Sequence, residues 1–261
     1  MATVSESADV KVGGDDMQVF TFRPEGGGKS PAVIVIQEIF GVNDHVKDVA
    51  SRFAAEGYVA AAPDLFHRSG RGVLVPFDQM QEGMAHRGKL TNDDIIADVS
   101  ATVEYLKANP NVDADNIGIV GFCFGGMVSY LAAARVSGLS GAAVFYGGGI
   151  LPRPDAGPDA PRLLDQTAGD VSVPIISFWG DQDGGIPVSN VEEIVSTLKA
   201  KGKDIESTVY PGAGHGFFCD VRGSYNEAAA KDAWPKTLAF SPSTCGASRR
   251  RSGARRSAIS P

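Results

Sequence analysis

The chain has 261 residues, 43% hydrophobic and 21% charged, with a net charge of −7. That is ordinary globular composition, long enough to bury a large core as one α/β domain. It excludes a membrane-spanning helix, because no apolar run approaches the roughly 18 residues that a bilayer requires.

The start, MATVSESADVKVGGDD, has neither a basic leader nor an apolar core, so the expected location is cytoplasmic. FTFRP at 20–24 reads as the end of an early strand. PAVIVIQ at 31–37 is a continuous apolar run suited to a fully buried strand. A helix is expected over 44–57, closed by Gly57, and a strand over 58–65. The segment 91–110 is the clearest helix: Thr91 and Asp94 have capping-box spacing, and Ile95, Ile96, Val99, Val103 and Leu106 share a face. NIGIVGFCFGG is a strand turning sharply into the helix MVSYLAAARV. Strands follow at 141–148 and 173–180, then a helix at 189–202 with Ser189 and Glu192 as a capping box. A strand at 206–212 and a helix at 225–240 complete the series, although Pro235 is unwelcome inside that helix. Alternation of apolar strands and amphipathic helices predicts a mostly parallel sheet covered on both faces, as a single domain over 1–240. The irregular pieces 66–90 and 150–172 are candidate loops over a site.

Residues 241–261 change character: five arginines and no acid leave the first 240 residues at −12. This last segment reads as a disordered tail, and the acidic body disfavours nucleic acid as a partner. Cys123, Cys219 and Cys245, with four histidines, are too few and too scattered for a disulfide framework or a metal site.

Chemistry concentrates at GFCFGG, 121–126. G-x-C-x-G-G between a strand and a helix has the shape of a nucleophile elbow, in which a strained turn lifts the reactive side chain above the strand ends. The helix behind points its N-terminal N–H groups at the site, favouring thiolate and oxyanion alike. A small buried core cysteine is the bland alternative. No phosphate-loop pattern or early G-x-G-x-x-G is present, which disfavours a nucleotide cofactor. An elbow nucleophile expects an acid and then a histidine, each past a later strand. GDQDGGIP offers Asp181 and Asp183, and GAGHGFF offers His215. Glu38, ending the first buried strand, is unusual there because a carboxylate opposes thiolate formation.

With QEIFGVN, PDLFHR, GFCFGG, FYGG, GDQDGGIP and AGHGFF in this order, the chain resembles the dienelactone hydrolase family of the α/β-hydrolase fold over about residues 15–240. The resemblance implies a Cys123–His215–Asp183 triad, with Asp183 favoured by its spacing to Pro187. It implies an oxyanion hole from the backbone N–H groups of Ile39 and Phe124, and a Glu38 that contacts the resting thiol and swings away when substrate binds. Tyr146 matches a pocket-lining tyrosine. It implies a small lactone or ester as substrate, a thioester intermediate, and no metal or organic cofactor; with the charge and apolar-run arguments above, the expected partners exclude nucleic acid and membrane, and the chain is expected to be a monomer or homodimer. Two departures concern the substrate. The family arginine four residues after the histidine is replaced by Cys219, with Arg222 nearest. Met80 stands where a second arginine is expected, leaving Arg68, Arg71 and Arg87 as nearby candidates and Arg68 as the assigned one. A redox-responsive thiol or ligand-binding protein on the same fold is the competing reading.

Overall fold

In the computed structural model, which describes residues 2–240, eight strands form one sheet. They are β1 (Thr3–Val12), β2 (Asp15–Pro24), β3 (Ser30–Ile36), β4 (Val59–Pro63), β5 (Val112–Phe122), β6 (Gly141–Phe145), β7 (Ile175–Gly180) and β8 (Ile205–Tyr210). Their spatial order is β1-β2-β4-β3-β5-β6-β7-β8. The first two strands pair antiparallel, β2 pairs antiparallel with β4, and every pairing from β4 onward is parallel. All five residues of β4 and of β6 are buried. Because alternate side chains point to opposite faces, such runs need cover on both. The cover comes from α1 (Asp44–Ala55), α2 (Met80–Gly88), α3 (Asn92–Ala108), α4 (Phe124–Arg135), α5 (Leu163–Thr167), α6 (Val188–Ala200) and α7 (Glu227–Phe240). Helix α4 packs against β3, β5 and β6 and is buried from Phe124 to Ala134, which explains its small, unbroken apolar sequence.

The core elements lie where periodicity and turn residues place them, and the Thr91–Asp94 capping box is formed in both directions. Four details differ. The N-terminal hairpin is far longer than FTFRP suggested, because β1 is a mostly exposed edge strand whose polar sequence carries little apolar signal. Its one sequence mark is the Gly13-Gly14 turn, with Gly13 at φ 59°. The Ser189–Glu192 capping box does not form: Pro187 starts the helix, so Ser189 already lies inside the first turn. The two expected loops contain α2 and α5. Pro235 is accommodated within α7. The expected tail, 241–261, lies outside the described residues.

Candidate active site

The parallel strands deliver their carboxyl ends to one edge, where α/β folds collect ligand sites. Between β5 and α4 stands a single residue, Cys123, with φ 56° and ψ −115°. A non-glycine residue so held costs on the order of 1–3 kcal/mol and persists only where its surroundings over-determine it. Here its N–H donates to the Phe145 carbonyl at 3.0 Å, and its own carbonyl accepts from Gly126 at 3.0 Å. The flanking glycines serve close approach. A Cβ on Gly125 would sit 2.6 Å from the carbonyl oxygens of Ile36 and Gln37, and one on Gly126 would sit 2.5 Å from that of Phe145. On Gly121 it would overlap the Gly125 carbonyl.

Asp183 and His215 meet at this edge from the loops after β7 and β8, with Asp183 Oδ2 2.7 Å from His215 Nδ1. Asp183 is buried, and its other oxygen accepts from the N–H groups of Gly185 at 2.9 Å and Ile186 at 3.2 Å. Its acceptor sites are thus aimed before any substrate arrives. The alternative acid, Asp181, instead accepts from the Gly212 N–H at 2.7 Å and braces the two loops. Burial, the largest single influence, pushes His215 down. Hydrogen bonds and charge from Asp183 and Cys123 outweigh it and raise the imidazole to about 10. With Nδ1 committed to Asp183, Nε2 is the ring nitrogen left for the Cys123 thiol.

Glu38 lies buried in the turn after β3, and burial raises its pKa against the lowering pull of Arg222 and His215. Among the described residues its hydrogen-bond partner is Arg222, whose Nη1 lies 3.3 and 3.5 Å from the two carboxylate oxygens. The guanidinium stacks over Phe40 at 5.3 Å and Phe77 at 5.4 Å. Gly216, at φ 80°, leaves room for it: a Cβ there would be 2.7 Å from Arg222 Nη1. Arg222 is held in turn by its loop, since neighbouring Asp220 accepts from Arg52 Nη2 at 2.6 Å and lies 3.4 Å from His45 Nδ1, both on α1. Tyr146, at φ 37°, is fully buried with its ring 5.2 Å from that of His215. Its N–H donates to the Phe178 carbonyl at 2.8 Å, while its hydroxyl has no partner. Burial first, then the nearby Glu38 and Cys123, pushes that hydroxyl well above the usual tyrosine range. Cys219 is fully buried, and burial pushes its thiol up to about 12.

Phe124 opens α4, so its N–H is among the donors a helix start leaves unsatisfied. Ile39 lies under α2, where a Cβ on Gly83 would overlap the Ile39 carbonyl. Arg68 is elsewhere. Its guanidinium makes a two-pronged ion pair with buried Asp98 on α3 at 2.7 and 2.9 Å. Arg222 is the arginine brought to Glu38. Sequence reasoning left it unassigned because it follows His215 by seven residues, not four, and only the folded loop turns it inward.

The model of the dienelactone hydrolase family matches residues 17–242. A provisionally named carboxymethylenebutenolidase of Synechocystis sp. is 38% identical over 216 residues, 82% of this chain and 86% of its own. A provisionally named 2-oxo-3-(5-oxofuran-2-ylidene)propanoate lactonase of Bradyrhizobium sp. is 34% identical, covering 89% of this chain and 91% of its own. The crystal structure of a provisionally named dienelactone hydrolase from Klebsiella pneumoniae superposes with a TM-score of 0.81 at 32% identity, over 92% of this chain and 98% of its own. The chain has the α/β-hydrolase fold and belongs to the dienelactone hydrolase family of lactone and ester hydrolases.

Proposed function

We propose that the protein hydrolyses lactone or ester bonds through a covalent thioester on Cys123, with His215 as proton carrier and Asp183 as its orienter. The observation that carries this reading is the His215–Asp183 contact of 2.7 Å beside a cysteine strained into position at the head of α4. The imidazolium balances a Cys123 thiolate, whose sulfur attacks the substrate carbonyl carbon. The electron pair of the C=O bond moves to oxygen, where the N–H groups of Ile39 and Phe124 receive it; each such donor is typically worth about 3–4 kcal/mol. Collapse of this intermediate breaks the ester C–O bond, and the leaving alkoxide or enolate takes the proton from His215. Water, deprotonated by His215, then attacks the thioester, releasing the acid and restoring the thiolate.

Glu38 and Tyr146 have supporting roles. Arg222 holds the Glu38 carboxylate and is the group that would receive it when substrate displaces it from the thiol. The unpartnered Tyr146 hydroxyl, kept protonated by its burial, is available to donate to a substrate oxygen. A redox thiol without turnover would need neither the acid behind His215 nor water activation. Its nearest described partner, Cys219, is buried with a thiol pushed up to about 12, a poor resolving group.

The test compares wild type with Cys123→Ala and His215→Ala on a dienelactone and on p-nitrophenyl acetate. Losses in kcat of at least about a thousandfold are expected in both variants, with an acyl adduct on Cys123 in quenched wild type. Unchanged turnover in Cys123→Ala would overturn the mechanism.

A further inference from the structure

Among the described residues, five large apolar side chains stand 38% to 65% exposed: Leu74, Met80, Met84, Val221 and Tyr225. All five fall in two segments, 74–84 and 221–225, and both segments border residues 38–41 beside the candidate oxyanion hole. Leu74 Cδ2 would lie 3.4 Å from a Cβ on Gly41, and the Val75 N–H donates to the Phe40 carbonyl at 3.1 Å. Helix α2, which carries Met80 and Met84, packs Gly83 onto Ile39 and holds Arg87 5.8 Å over the Phe124 ring. In the second segment, Val221 adjoins Arg222, whose guanidinium lies over the Phe40 and Phe77 rings and is tied to Glu38.

Exposed apolar side chains cost solvation unless something covers them in use, and here they flank one turn, residues 38–41. Most of the positive charge beside that turn is already matched by acids, Arg87 over the Phe124 ring being the exception. Arg71 pairs with Asp9 at 2.8 Å, Arg68 with Asp98, and Arg222 with Glu38, while Asp78 and Glu82 interleave with the methionines. Methionine adapts its shape to apolar groups of varied outline. We propose that the substrate of this hydrolase carries an uncharged apolar substituent, an alkyl chain or hydrophobic ring group, that lies across Leu74, Met80, Met84 and Val221 while its carbonyl sits at Cys123. This inference rests on the hydrolase reading and adds the class of ester or lactone accepted.

The experiment has two arms, since the substituent can sit on the acyl or the alcohol side. Turnover of p-nitrophenyl hexanoate is compared with that of p-nitrophenyl acetate, and turnover of hexyl acetate with that of ethyl acetate by pH-stat. In at least one arm kcat/KM should favour the longer substrate by about tenfold or more. In Met84→Glu/Val221→Glu, both changes being at exposed positions, the long substrate should lose about tenfold more than the short one. Circular dichroism and melting temperature should stay as in wild type. Acetate turnover without a chain-length preference in either arm, or a preference untouched by the double variant, overturns the inference and leaves the hydrolase reading standing. Turnover of none of these esters overturns both. An oligomer that dissociates in the double variant, or wild type that sediments with phosphatidylcholine vesicles, each without a chain-length preference, assigns the patch to a second copy or a lipid surface instead.

Discussion

A thiol and an imidazole in contact divide one proton according to what stands behind each. Behind His215 stands Asp183, buried and already saturated by two backbone donors, so it holds one ring tautomer and stabilises the imidazolium. Asp183→Asn should keep the fold but drop kcat/KM by about a thousandfold or more, read by steady-state kinetics with the circular dichroism unchanged. The raised imidazole also links to stability. Folding lifts His215 from 6.5 to about 10, so its contribution is complete below the unfolded pKa and disappears as pH climbs through about 10. Urea titrations of wild type and His215→Gln should therefore converge between about pH 6.5 and about pH 10. Cys123 and Asp183 were legible because each follows a strand whose apolar run announces its end, and His215 because a glycine-rich turn follows the β-branched and aromatic residues that close β8. Arg222 and the orphaned Tyr146 hydroxyl were not, since their roles arise from contacts across 184 residues and from burial that no local pattern encodes.

Elements met their sequence signals where burial was deep and lost them where the surface decided. Strands β3 to β7 read as apolar runs because both faces are covered, whereas β1 is an exposed edge and α2 a nine-residue helix that buries little beyond Gly83. Just past the join of β5 to α4, the helix start packs closely on the end of β3. Gly125 lies against the carbonyls of Ile36 and Gln37 with no space for a methyl group. Gly125→Ala should destabilise the protein by about 1–3 kcal/mol in urea and shift the turn that carries Ile39 away from Phe124. A kcat loss exceeding the change in KM would mark the second effect.

At the scale of the molecule, the alternation of strands and helices was enough to foresee the parallel sheet, but not that a two-stranded antiparallel ribbon extends it at one edge. The described fold closes with α7, whose Phe240 ring reaches the start of β6. Deleting residues 241–261 should leave ester turnover within about twofold of the full chain, measured on p-nitrophenyl acetate. A larger loss would make the arginine-rich segment part of the working enzyme. Along the sheet edge, the N–H of Cys123 reaches the end of β6 and the N–H of Tyr146 reaches the end of β7, so each strained residue is held by the main chain of its neighbour. No side-chain atom of Cys123 takes part in those bonds. The scaffold is therefore indifferent to whether sulfur or oxygen occupies the elbow, and the nucleophile can be exchanged as a chemical variable without asking the chain to fold differently.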